Sequence, residues 1–170
     1  MSIRITIVGD THAFSFEDIP HQIIESCQNS DWIIHVGDYI SEDILNGFFK
    51  LKKEYFKGVY GNADPLSIRN MVLAKEVIEI SNIKMGIIHP YYGGPDSSLL
   101  RKIIKEFKED KVKVIFFGHT HDPKILVRKQ LLLINPGKGY IDSNSINSQA
   151  SIAILEIGSH LNASIRQINF

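Results

Sequence analysis

The chain has 170 residues, 44% hydrophobic and 22% charged, with 19 basic and 19 acidic side chains. That length buries a sizeable core without staples, and the balanced charge excludes a broad face for a phosphate backbone. It does not exclude a small phosphorylated substrate, because metal ions can supply positive charge locally.

Ile3-Arg4-Ile5-Thr6-Ile7-Val8 reads as a strand that runs into Gly9-Asp10-Thr11-His12. The N-terminus enters this strand at once, with no signal-peptide pattern. No apolar run reaches the roughly 18 residues of a membrane span. One cytoplasmic domain over 1–170, with no membrane contact, is the expectation, and a homo-oligomer stays open. A loop from Phe14 leads into a helix ending near Asn29, with Asp18 as its cap, Pro20 near the first turn, and Ile19, Ile23, Ile24 and Cys27 on one apolar stripe. Cys27 is therefore a core residue rather than a nucleophile. As the lone cysteine it excludes an internal disulfide and fits a reducing compartment.

Trp32–Val36 is a second strand, running into Gly37-Asp38, and Ser41-Glu42-Asp43-Ile44 starts a capped helix continued by Leu45, Phe48 and Phe49. Phe56–Tyr60 runs into Gly61-Asn62, and Pro65 opens a short loop or helical turn. This βαβαβ rhythm implies a parallel sheet with right-handed crossovers. Val77–Ile80, the turn Ser81-Asn82 and Ile83–Ile88 then form a hairpin whose second strand ends at His89-Pro90. Gly93-Gly94-Pro95-Asp96 is a loop, with Asp96 or Ser97 capping a helix that carries Leu99, Leu100, Ile103, Ile104 and Phe107. Val114–Phe117 is a buried strand running into Gly118-His119-Thr120-His121. The remainder reads as an antiparallel meander. Lys124–Arg128 pairs with Gln130–Ile134 and Ser151–Ile157 with Ala163–Ile168, with a turn at Asn135-Pro136-Gly137 and a polar surface loop over Asn144–Gln149. Two face-to-face mixed sheets with helices outside, an α/β fold of αββα type, would bury all these strands.

Five apolar strands thus end in Asp, His or Asn, four of them through a glycine. In open α/β sheets functional groups gather beyond the carboxyl ends of strands. The i, i+2 spacing of Asp10 with His12 and of His119 with His121 puts each pair on one side of an extended chain. Asp10, His12, Asp38, Asn62, His89, His119 and His121 are the candidate ligands. They exceed what one ion can take with a position left for substrate, and they suit two ions sharing a carboxylate. Nitrogen and oxygen donors without thiolate favour Mn, Fe, Zn, Ni or Co over Mg or Ca, with manganese placed first. Two such ions roughly 3.5–4 Å apart can hold a hydroxide between them for attack on phosphorus, although two-metal centres also serve aminopeptidases.

Asp10-Thr11-His12, Gly37-Asp38, Gly61-Asn62-Ala63-Asp64, His89 and Gly118-His119-Thr120-His121 resemble, in that order and over essentially the whole chain, the calcineurin-like metallophosphoesterase superfamily. The likeness is to its small single-domain branch of bacterial and archaeal phosphodiesterases, and Asn135-Pro136-Gly137 is similar to that branch too. The resemblance implies an αββα sandwich and a divalent-metal phosphodiesterase acting on a small phosphorylated substrate. It implies that Asp10, His12, Asp38 and His121 hold one metal. Asp38 bridges to a second metal, completed by Asn62, His89 and His119, and the catalytic work falls to Asn62, Asp38 and His119. A phosphomonoesterase, or a protein-binding scaffold like the superfamily's retromer subunit, are the alternatives.

Two positions depart from the pattern. Many members carry a histidine after the asparagine to protonate the leaving group, and here Ala63 leaves that role vacant, which favours acidic leaving groups. Pro90 stands where glycine is commoner and stiffens the strand exit before Tyr91 and Tyr92, which are expected to pack against neighbouring loops, with stacking on a nucleotide or aryl group as the alternative. His35 is expected to pack or support a ligand rather than bind metal, and His21 and His160 to lie at the surface. Asp64 is expected to orient a ligand or cap a turn. Lys138 is expected to be solvated or to reach an anionic substrate, and Phe14 to line the pocket or join the core.

Overall fold

The computed structural model describes residues 2–92, 96–142 and 148–169. In chain order the strands are β1 (Ile3–Val8), β2 (Trp32–His35), β3 (Phe56–Gly58), β4 (Lys75–Ile80), β5 (Ile83–Ile88), β6 (Val114–Phe117), β7 (Lys124–Arg128), β8 (Leu131–Asn135), β9 (Ala150–Ile157) and β10 (Leu161–Ile168). The helices are α1 (His21–Gln28), α2 (Glu42–Lys52), α3 (Leu66–Arg69) and α4 (Asp96–Glu106). One five-stranded sheet has the order β10-β9-β1-β2-β3 and the other β4-β5-β6-β8-β7. No helix among the described residues is long and apolar enough to cross a membrane.

Side-chain alternation along the strands builds the layers. Ile5 and Ile7 of β1, Ile34 and Val36 at β2, Met85 and Ile87 of β5, and Val114 and Phe116 of β6 point inward and form the core between the sheets. Their alternates point outward: Val8 and Ile33 join α1 and α2 through Ile23, Cys27, Ile44 and Phe48. Ile115 and Phe117 join α4 through Leu99, Ile103 and Phe107. The result is the four-layer αββα sandwich. Cys27 is fully buried in it, and burial pushes its thiol up to about 12, so it packs as a small apolar group.

The expected parallel start holds, since β1, β2 and β3 are parallel neighbours. The Ser81-Asn82 turn places both residues at positive φ, as a two-residue hairpin requires. Ser41 caps α2 by accepting from the Ile44 amide. Three expectations are corrected. The chain after β6 is not one meander: β8 lies parallel to β6, and the β7–β8 and β9–β10 hairpins belong to different sheets. Asp18 does not cap α1; its carboxylate accepts from the Ser15 amide and closes a separate 3-10 turn at Phe16–Asp18, while Pro20 precedes α1 without a side-chain cap. Phe14 belongs to no core, being 78% exposed. Most of the expected Gly93–Asp96 loop, the side chains of Asp96 and Ser97 that would cap the helix, and most of the Asn144–Gln149 loop lie outside what the structure describes.

The phase of α2 is testable on two adjacent rings. Phe48 is fully buried, edge-on to Phe16 at 5.2 Å, whereas Phe49 is 52% exposed. Phe48→Ala should destabilise the fold by about 3–5 kcal/mol and Phe49→Ala by under about 1 kcal/mol in urea unfolding. Equal losses would mean that the helix is rotated from this register.

Candidate metal centre

Because β1, β2 and β3 are parallel to one another, and β5 is parallel to β6, their carboxyl ends lie on common edges of the two sheets. Asp10 and His12 follow β1, Asp38 follows β2 and Asn62 follows β3; His89 follows β5, and His119 and His121 follow β6. The two edges meet. His89 Nδ1 lies 2.8 Å from the Val36 carbonyl, and the His119 amide donates to Asp10 Oδ2 at 3.1 Å.

All seven candidates come together, by a route other than the one expected. Asp10, His12, Asp38, His119 and His121 have φ of 47°, 44°, 58°, 80° and 57°, so these segments are tight left-handed turns, not extended chain. Non-glycine residues there cost of order 1–3 kcal/mol each and persist only where the surroundings over-determine them. The turns also split the His119/His121 pair. His121 Nε2 lies 3.2 Å from Asp10 Oδ1, whereas His119 Nδ1 lies 2.9 Å from Asn62 Oδ1. His12 Nε2 faces Asp38 Oδ2 at 3.5 Å and Asp10 Oδ1 at 4.0 Å, and His89 Nε2 faces Asp38 Oδ2 at 3.4 Å and Asn62 Oδ1 at 3.1 Å. Two groups have all their donor atoms within 4.8 Å of one another: Asp10 with His12 and His121, and Asp10 with Asp38 and His89.

A carbonyl only accepts, so His89 Nδ1 donates to Val36, which fixes the ring with Nε2 turned into the cluster. There it faces the amide oxygen of Asn62 and the carboxylate of Asp38. His12 Nε2 is buried without a hydrogen-bond partner. Burial lowers the His12 and His119 imidazoles below their ordinary range, whereas the hydrogen bond that His121 donates to Asp10 raises it. Two buried carboxylates, an amide oxygen and converging imidazole nitrogens are a donor set that fits a divalent cation.

The supporting residues were only partly legible. Asp64, which burial raises above the usual carboxylate range, accepts from the amides of Asp38, Ile40 and Gly61, tying the β2 and β3 exits together. It orients the loops rather than touching the donor cluster. A Cβ at Gly61 would stand 2.0 Å from Asp38 Oδ1, and one at Gly37, at φ 99°, would meet His89 Nδ1 at 2.8 Å, so neither position admits a side chain. Buried Asn135 donates to Thr120 Oγ1 and Gly118 O while its own oxygen holds the Gly137 amide, bracing the His119–His121 turn. Tyr140, which nothing in the sequence singled out, stands edge-on to His12 at 5.5 Å and His121 at 6.0 Å. Its loop docks through the Gly139 amide on the Gly9 carbonyl.

His35 points to the helix side, because Ile34 and Val36 take the inward positions. It accepts from the Gly37 amide, stacks on Tyr39 at 3.7 Å and reaches Thr11 Oγ1 at 3.3 Å; Thr11 in turn donates to the Asp38 carbonyl. It supports the loop carrying Asp38. Lys138 donates to Ser148 Oγ and lies 4.7 Å from the Tyr140 ring centroid. Tyr91 and Tyr92 line a cavity of about 450 Å³ with Tyr60, Asn62, Arg69 and His89, beside the donor cluster. His21 and His160 are exposed.

Residues 3–160 match the family model of the calcineurin-like phosphoesterase superfamily domain, and the chain belongs to that superfamily. It is 34% identical over 157 residues to a probable metallophosphoesterase of Methanocaldococcus jannaschii, covering 90% of this chain and 77% of the relative. It is 28% identical over 156 residues to a phosphodiesterase of the same organism, covering 82% and 87%. In fold it is similar to vacuolar protein sorting 29 from Cryptosporidium parvum, with a TM-score of 0.74 at 16% identity over 99% of both chains.

Burial holds His35 well below its ordinary 6.5, which gives acid sensitivity a definite sign. As pH falls through about 6.5 the unfolded chain takes up a proton that the folded chain refuses, so stability is full above that pH and lost below it. With chelator present, thermal melting of the wild type should steepen with acid by up to about 1.4 kcal/mol per pH unit relative to His35→Gln. Identical slopes would show that His35 titrates freely in the folded chain.

Proposed function

We propose that this member of the calcineurin-like phosphoesterase superfamily is a phosphodiesterase that works with two divalent cations. The convergence of His89 Nε2, Asn62 Oδ1 and Asp38 Oδ2, with His12 Nε2 buried alongside and lacking a hydrogen-bond partner, is the observation that carries the reading. Asp10, His12, Asp38 and His121 would hold one cation; Asn62, His89 and His119 would hold the other, with Asp38 shared. Manganese heads the list, and nickel, zinc, iron or cobalt suit the same mixed donors. Bound there, the cations would neutralise phosphoryl charge and make a nucleophile available at neutral pH.

The chain's own groups do the positioning. Asp38 Oδ1 is held by the Ala63 amide at 2.8 Å, which leaves Oδ2 turned toward His12 and His89. Asn62 is exposed and His119 half-buried, so these two meet an incoming phosphoryl group, while Asp10 and Asp38 stay shielded. The neighbouring cavity with Tyr60, Arg69, Tyr91 and Tyr92 falls within the ~300–1,000 Å³ of small-ligand sites. It is where one arm of a diester, aryl or nucleoside in kind, would lodge. A monoester has no second arm to place, and this favours diester over monoester. With alanine at position 63, no side chain there protonates the leaving group, so acidic leaving groups are the ones expelled.

Metal-titrated hydrolysis of bis(p-nitrophenyl) phosphate and p-nitrophenyl phosphate tests this directly. The diester should turn over faster, chelation should abolish turnover, and Asp38→Ala should reduce it to background. Faster monoester turnover would make the protein a phosphomonoesterase, and no turnover with any of the five metals would leave a binding scaffold of this fold. Separately, Ala63→His should raise turnover of diesters with alkyl leaving groups by about 10²–10⁴, the usual worth of a general acid. No gain would mean that leaving-group protonation is not what this site lacks.

A further inference from the structure

A sizeable cavity lies away from the metal centre. It is a groove of about 920 Å³ at the amino end of β6, formed by α4, the loop before β6 and the β7–β8 turn. The four residues of β6 separate it from the histidine turn by roughly 13 Å. Arg101, Lys108, Lys111, Lys113, Arg128 and Lys129 line it, and no Asp or Glu does. A chain with 19 cations and 19 anions thus gathers six cations around one cavity. The wall between them is apolar, with half-buried Ile104, Val112 and Leu131 set over the buried core under α4.

Helix electrostatics explain part of this. Cations near the C-terminal end of a helix are favoured by its dipole, which accounts for Lys108 just beyond α4. It does not account for Lys113, Arg128 and Lys129, which arrive from other elements. Lys111 and Lys129 also sit at φ 56° and 57°, where glycine or asparagine is the usual resident. Positive charge is carried there in spite of the backbone rather than because of it.

We propose that this groove binds an organic polyphosphate with a flat apolar body, in chemical type a nucleoside triphosphate. The cations answer several phosphates, and the Ile104–Val112–Leu131 wall answers the base. The cavity is of the size that encloses a small ligand, whereas a nucleic-acid backbone would need a longer basic track than this neutral chain offers. The site is independent of the metal centre and of the reaction proposed for it.

Isothermal titration calorimetry of the full chain with ATP in excess EDTA, where no metal centre can hold phosphate, is the test. One saturable site is expected, with inorganic tripolyphosphate and adenosine each at least about tenfold weaker, because each supplies only half of the match. Lys113→Glu with Arg128→Glu should weaken ATP by at least about tenfold, and Arg128→Gln with Lys129→Gln, both exposed at the end of β7 and in the turn after it, should weaken it less. Asp38→Ala should bind ATP as the wild type does. The proposal is overturned if ATP gives no saturable binding, or if neither pair of substitutions changes its affinity. Equal binding of tripolyphosphate, loss with Asp38→Ala, or readier displacement by a polyglutamate peptide would overturn it too.

Discussion

Everything at this site depends on keeping buried negative charge close together. Asp10 and Asp38 are almost fully shielded, yet each offers an oxygen to a cluster whose members lie within 4.8 Å of one another. Two carboxylates so placed repel, and burial withdraws the water that would screen them. Part of the compensation is backbone: the His119 amide serves Asp10, and the Ala63 amide serves Asp38. Both amides belong to strand exits, so the turns that bring the donors in also steady the charges. What backbone amides leave uncompensated is charge that a cation would complete, so the donor cluster and the turns around it form one device.

The left-handed turns follow from the same constraint. A chain leaving a parallel strand would carry its side chains past the sheet edge, not back over it. At φ of 44–58° the backbone doubles back, as it does at Asp10, His12, Asp38 and His121. The cost is met by the loops' mutual bracing. Asp64 ties together three amides from two loops, and Asn135 clasps the β6 exit across 15 and 17 positions of sequence. Substitution at these braces would release strain where the donors are most sensitive to position.

Strand phase was legible in the sequence because alternation is local: Ile5 and Ile7 against Thr6 and Val8 already assign two faces. The ends of the strands were legible for the same reason, and with them the seven residues that meet there. What lay beyond reach was long-range or conformational. That β8 would pair in parallel with β6 depends on competition among edges that no short window contains. The i, i+2 argument found the right pairs but assumed extended chain, and so missed that His119 and His121 turn to different partners. Tyr140 and Asn135 act across more than a hundred residues or through a turn whose purpose shows only when folded. Asp18 was misassigned because Ser15 offered a closer, competing cap.

Position 63 shows how such a site can lose a chemical group without losing its shape. What the structure requires there is an amide, which fixes Asp38 Oδ1, and every residue but proline has one. The side chain at 63 points into open surroundings and holds nothing in place. Position 61 is the reverse case. Its amide serves Asp64, but a Cβ would strike Asp38, so only glycine satisfies both. Two residues apart on one turn, one position is fixed by geometry and the other is free in its side chain. A side chain could therefore be exchanged at 63 at little cost to the cluster, because the brace on Asp38 is a backbone atom of that turn.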